Sequence, residues 1–396
     1  MTQKGFTYKG LYIFSLIIYI LCLPLGAINI GSFGSALRVV AILPIAIAFL
    51  FGGSIRFSRP LIMQAVFTFL ALASILWSVA SDLSMSRVLS YVLLLALIAS
   101  GAMFKYDADD IKKVKYALAW SSRLTAIVMF AFAEYINGRF TLTGVIKEDP
   151  NQLCAYFAFG VVYALGALTY KNYTLPKKIF AVVELLVYLY LVLATGSRGG
   201  LIAIMSGAAV FLMFFKPEKK SYGIKRIIFI TLLFVALFVM LDYLPQILQI
   251  RFTLDDVVES GASNRIDIWR QTLDLFANSN LFRQAFGYGT ATIISCFQNF
   301  GYSSHHVSHN IFLETLVEIG IIGFAVYTIA IASFVKHAFR ERDKFAFAVI
   351  VCMFVMSLSL SLYTFKPYFN IMLFIIMLQN VKTDEETPLK DNLIAD

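Results

Sequence analysis

Three positions carry chemistry that their surroundings do not call for. Arg198 stands in "LATGSRGGLIA" between two apolar runs, Arg265 in "SNRIDIWRQ", and His309 just ahead of "NIFLETLVEIGIIGF". An arginine beside hydrocarbon is costly unless it snorkels to headgroups or holds an anion. Its planar guanidinium matches a phosphate through two parallel hydrogen bonds, which lysine cannot do. Gly196, Gly199 and Gly200 would let backbone approach such an anion closely. The apolar helix that follows turns its unpaired N–H groups and the positive end of its dipole the same way. His309 titrates near neutrality and can take a proton from a hydroxyl, or it can cap the helix it precedes. In "VIKEDPNQLCAY", Asp149 or Asn151 can cap a helix whose first turn holds Pro150. Capping explains these residues completely, though Glu148 and Asp149 could also bind or activate a hydroxyl.

These residues need a scaffold, and the composition says which kind. Of 396 residues, 59% are hydrophobic and 14% charged, against about half and about 25% in soluble domains. The chain reads as an all-α polytopic membrane protein with about twelve transmembrane helices of the length that hydrocarbon demands. The spans are 11–28, 36–53, 61–80, 88–104, 116–136, 152–170, 179–195, 199–215, 227–244, 310–335, 345–363 and 367–381. With a cytoplasmic N-terminus, most of the 33 Lys and Arg residues fall in inside segments, as the positive-inside rule requires. Both termini are then cytoplasmic. Residues 1–396 form a single integral-membrane domain, and 245–308 make one long outer loop within it. The net charge of +9 therefore records topology and not a nucleic-acid partner.

The outer loop contains "SNRIDIWRQTLDLFANS". Ile266, Trp269, Leu273 and Phe276 recur at spacings of three and four, which predicts an amphipathic helix lying along the outer interface, capped by Ser263 or Asn264. Two outward helix N-termini, Arg198 and Arg265 would together make a site for a phosphate or pyrophosphate. His305 and His306 share their segment with no carboxylate, so no metal site is expected, and neither is a cofactor. The scattered cysteines, Cys22, Cys154, Cys296 and Cys352, read as packing residues. No phosphate-binding loop or nucleotide fingerprint occurs. Arg123 and Glu184 fall within spans five and seven and are expected to pair.

Taken in order, "LASILWSVASDLSMSRVL", "DPNQLCAY", "TGSRGGLIA", "SNRIDIWRQ", "FGYGT" and "SHNIFLETLVEIGIIG" resemble the motifs of the bacterial O-antigen ligase and O-antigen polymerase family. The resemblance implies transfer of a glycan from undecaprenyl pyrophosphate to an acceptor hydroxyl on the outer face of the bacterial plasma membrane, without metal. It implies Arg198 and Arg265 on the pyrophosphate and His309 on the acceptor or the leaving group. Gly196, Ser197, Gly199, Asn310, Arg270, Asp149 and Asn151 are then the expected substrate-binding residues. The expected partners are the lipid-linked oligosaccharide, an acceptor glycan or lipid, a chain-length regulator and a flippase. The expected function is a surface-polysaccharide polymerase. The alternatives are a ligase that attaches finished glycan to lipid A core or a protein, and a lipid-linked glycan transporter. A transporter calls for paired broken helices or repeats, and neither is visible in the sequence.

Overall fold

In hydrocarbon only a helix or a closed barrel satisfies its own backbone polar groups, and the apolar runs of this chain become helices. The computed structural model describes residues 7–26, 28, 35–144, 146, 148–169, 173–214, 231–232, 235–236, 239–253, 255, 264–362 and 364–381. In chain order the helices are α1 (Tyr8–Leu21), α2 (Ala36–Phe51), α3 (Arg59–Ala73), α4 (Ser81–Ser100), α5 (Ala108–Phe132), α6 (Pro150–Thr169), α7 (Leu175–Ala194) and α8 (Arg198–Phe214). Among the described residues four short helices follow: α9 (Gln246–Arg251), α10 (Arg265–Ala277), α11 (Leu281–Phe286) and α12 (Ile293–Asn299). The last four are α13 (Ile311–Glu318), α14 (Gly320–Arg340), α15 (Lys344–Ser357) and α16 (Lys366–Leu378).

Among the described residues, four helices are long and apolar enough to cross a membrane: Arg59–Trp77, Ser81–Ser100, Pro150–Thr169 and Gly320–Arg340. Shorter apolar helices accompany them, as in a polytopic membrane protein. The span expected at 227–244 lies largely outside the described residues, and so do both chain ends.

Packing is close where side chains are small. A Cβ on Gly207 of α8 would sit 2.8 Å from Cys352 Cβ on α15, and one on Gly200 would sit 2.6 Å from Cys154 Cβ on α6. Small residues let helices approach in just this way when hydrophobicity cannot drive them together. The four cysteines are free, and Cys154, Cys296 and Cys352 are buried packing residues. Helix α16 is buried from Pro367 to Leu378 and runs through the core, as a helix apolar all round must. Arg123 and Glu184 do pair, Nε to Oε1 at 2.5 Å and Nη2 to Oε2 at 3.2 Å, tying α5 to α7.

Two expectations need correction. Span 116–136 ends at Phe132, and the all-α reading gives way there to a hairpin of β1 (Ala133–Ile136) and β2 (Arg139–Leu142). Its turn residues, Asn137 and Gly138, both have positive φ, the conformation that a two-residue hairpin turn demands. Span 310–335 is broken between Glu318 and Gly320, where Gly320 takes φ +73°. The break frees two carbonyls, and the "FGYGT" turn occupies it. Tyr288 N–H donates to Val317 O at 3.1 Å and Gly289 N–H to Glu318 O at 2.8 Å. A Cβ on Gly287 would overlap the Glu318 carbonyl, and one on Gly320 would overlap the Ala285 carbonyl, so two glycines interlock here. The turn also leans on the end of α3 and the start of α4, where Val79 N–H donates to Tyr288 O at 3.0 Å.

Candidate active site

The turn between α7 and α8 is where the site begins. Thr195 ends α7, Gly196 turns the chain at φ +62°, and Ser197 Oγ accepts from Gly200 N–H at 3.2 Å to cap α8. Arg198 is therefore the first residue of α8, half-buried. The glycines that could admit an anion are closed in by this chain. A Cβ on Gly196 would meet Leu248 Cδ2 at 2.9 Å and Arg251 Nε at 3.2 Å, and one on Gly199 would overlap Ser359 Oγ and lie 3.6 Å from Arg265 Nη1.

Arg139 reaches this turn from β2. Its Nε donates to Thr195 O at 2.7 Å and its Nη2 to Asn151 Oδ1 at 2.7 Å. The hairpin thereby links the α7–α8 turn to the start of α6, where Asn151 N–H donates to Asp149 Oδ1 at 2.8 Å. From α9, Arg251 Nε donates to Gly196 O at 3.4 Å. Arg265 arrives from the first turn of α10.

His309 sits in a strained turn at φ +51°. It does not cap the helix after it. Asn310 does that, its Oδ1 accepting from Phe312 N–H at 3.0 Å and Leu313 N–H at 3.3 Å. Trp269 Nε1 donates to Ser308 O at 2.8 Å, and Ser308 Oγ donates to Glu314 Oε1 at 3.1 Å. These bonds clamp the His309 turn between α10 and α13, leaving its imidazole half-buried.

The electrostatics join these parts. Burial, then the neighbouring Arg198, lower the pKa of Arg265, and Asp149 opposes them. Burial, then Arg251, lower that of Arg139, with Asp149 again opposing and Arg265 adding to the effect. Burial, then Arg265, hold His309 below the ordinary histidine range, with Asp149 pulling the other way. Four guanidinium groups and an imidazole thus share one region, offset chiefly by a single exposed carboxylate. Like charges converge at such cost where an anion compensates them. Among the described residues, no three His, Cys, Asp or Glu gather where a metal ion could be held.

Residues 183–328 match the family model described as O-antigen ligase. That stretch is similar to the O-antigen ligase family. It contains Arg198, Arg251, Arg265 and His309, while Arg139, Asp149 and Asn151 come from outside it. A comparison with curated proteins gave no match.

Of the residues expected from sequence, the matched stretch and its neighbours bring Arg198, Arg265, His309, Asp149 and Asn151 together. Gly196, Ser197, Gly199 and Asn310 build the two turns that present them. Arg270 stands apart: 77% exposed, it pairs with Asp267 at 3.4 Å on another face of α10. On the same helix Ile268, Thr272 and Leu275 face the protein, while Ile266 and Leu273 of the expected apolar stripe are exposed. Its N-cap is Asn264 at φ +60°, without a side-chain cap bond, and Ser263 lies outside the described residues. Arg139 and Arg251 were missed as site residues. The signal for the first was "INGR", a hairpin turn placing an arginine directly after it.

Proposed function

We propose that the chain is a surface-polysaccharide polymerase acting on the outer face of the bacterial plasma membrane. It transfers glycan from undecaprenyl pyrophosphate to the hydroxyl of an acceptor sugar. The observation that carries this reading is the convergence of Arg139, Arg198, Arg251 and Arg265 beside His309, whose pKa burial and then Arg265 lower. Arg198 and Arg265 hold the pyrophosphate, and Arg139 and Arg251 add to the positive field. His309 accepts the acceptor's hydroxyl proton as its oxygen bonds to the anomeric carbon. The bond from that carbon to the pyrophosphate breaks, and its electron pair leaves with the lipid pyrophosphate. Fixed cationic donors aimed at the developing anion lower this barrier, and they do so without a metal.

The family description favours a second reading, in which the acceptor is lipid A core or a protein. Purified enzyme given lipid-linked repeat units alone separates the two. Chain growth with release of undecaprenyl pyrophosphate supports the polymerase, and transfer only on addition of lipid A core supports the ligase. Arg198→Ala, Arg265→Ala and His309→Ala are each expected to abolish transfer while the protein still reaches the membrane. Wild-type rates in the two arginine variants would refute the pyrophosphate assignment, and lipid movement without bond formation would refute both enzyme readings.

A further inference from the structure

A second polar cleft opens at the other end of α5 and α7. The arginine site lies beyond the C-terminal ends of these helices, and this cleft lies along their N-terminal halves, with α6 behind both. Its volume is about 940 Å³, and it is lined by five basic side chains, Lys112, Lys113, Lys115, Arg123 and Lys177, against two carboxylates, Asp109 and Glu184. Lys115 is engaged by Asp343 at 2.8 Å and Arg123 by Glu184. The Lys113–Asp109 pair is exposed on both sides, where an ion pair contributes little and a stronger anion can displace it.

Below the lysines the walls are aromatic. The Arg123 guanidinium lies 4.7 Å from the Trp120 ring centre, 5.4 Å from Phe180 and 5.6 Å from Tyr116. Those three rings remain exposed, and Ile127 and Val183 continue the bare apolar strip along α5 and α7. A soluble anion would engage the basic rim alone, whereas a ligand with a phosphate at one end and hydrocarbon below it matches both the rim and the strip.

We infer that this cleft binds an anionic glycerophospholipid, its phosphate among Lys112, Lys113 and Lys177 and its acyl chains along the Trp120–Phe180 wall. Basic pockets between membrane helices take such headgroups, because clustered Lys and Arg are drawn to anionic leaflets. Aromatic side chains with one polar end belong at the same depth. The site is independent of the transfer reaction and lies at the opposite ends of the helices that frame it.

Native mass spectrometry of the full-length protein, titrated with dioleoylphosphatidylglycerol or dioleoylphosphatidylcholine, tests the assignment. Phosphatidylglycerol should be retained preferentially. Lys112→Gln/Lys177→Gln should lower that retention at least fivefold and leave phosphatidylcholine retention unchanged. Brominated phosphatidylglycerol in nanodiscs should quench the tryptophan fluorescence, and Trp120→Phe should remove one component of that quenching. Equal retention of both lipids, an unaffected double variant, or quenching that Trp120→Phe leaves undiminished would overturn the inference. Inorganic phosphate displacing phosphatidylglycerol at equal concentration would overturn the lipid assignment in favour of a soluble anion.

Discussion

Replacing Gly320 by alanine tests the interlocked break in a way that carries its own control. Gly320, Gly287 and Gly301 all have φ between +73° and +76°, so alanine at any of them incurs the left-handed penalty of about 1–2 kcal/mol. Their surroundings differ. Nothing lies within 4 Å of a Cβ on Gly301, whereas those on Gly320 and Gly287 would overlap backbone across the break. Overpacking against rigid backbone adds about 1–3 kcal/mol. If the turn retreats, Val317 O and Glu318 O lose their partners, at about 1 kcal/mol each. The expected order is therefore about 1–2 kcal/mol for Gly301→Ala and about 2–5 kcal/mol for Gly287→Ala and Gly320→Ala. Thermal inactivation of the three variants in one detergent, followed by the fraction of monodisperse protein, reads this order. Because α13 carries the His309 turn at one end and meets the break at the other, transfer activity should fall in the same order. Midpoints for Gly320→Ala and Gly301→Ala that coincide would refute the interlock.

Four further outcomes follow from the site and the bundle. Arg139→Ala removes two charge-assisted hydrogen bonds, worth about 1.5–3 kcal/mol each, and should lower kcat/KM for the lipid-linked donor at least tenfold in a transfer assay, with Arg139→Lys recovering part of it. His309 acts as a base only when neutral, and its lowered pKa keeps it neutral further into acid, so activity should be lost only as pH falls through that depressed value. Asp149→Asn removes the opposing charge and should move the acid limb of the pH–rate profile lower still; a shift upward would contradict the geometry. Charge reversal at Arg123 or Glu184 alone should cost about 3–5 kcal/mol as an uncompensated buried charge, and Arg123→Glu/Glu184→Arg together should restore folded yield in fluorescence-detected size exclusion.

What the sequence made legible were features set by local composition. Apolar length announced the helices, and two charges of opposite sign within apolar runs announced their own pairing. Arg198, Arg265 and His309 stood out because each is the wrong kind of residue for its neighbourhood. The helix break was invisible because "EIGIIGF" stays apolar throughout, and what opens the chain there is the turn at 285–289, some thirty residues earlier. The face that α10 turns to the protein was illegible for a similar reason. Thr272 is covered and Leu273 is not, since the docking partner, a cluster of Tyr288, Ile293, Phe297 and Val317, selects the stripe and hydrophobicity alone does not. The hairpin did leave a mark in Asn137–Gly138, but it abuts an apolar helix whose pattern hides four-residue strands.

The Arg139 bridge bears on how far this machinery can be transplanted. A chimera that exchanged only residues 183–328 with a relative would carry over Arg198, Arg251, Arg265 and His309. It would leave behind the hairpin that grips Thr195 O and the Asp149 that offsets their charge. The imported turn would then rest on a foreign hairpin and a foreign carboxylate. Such a hybrid should become competent only when residues 133–151 travel with it, so the functional module is larger than the segment that homology outlines.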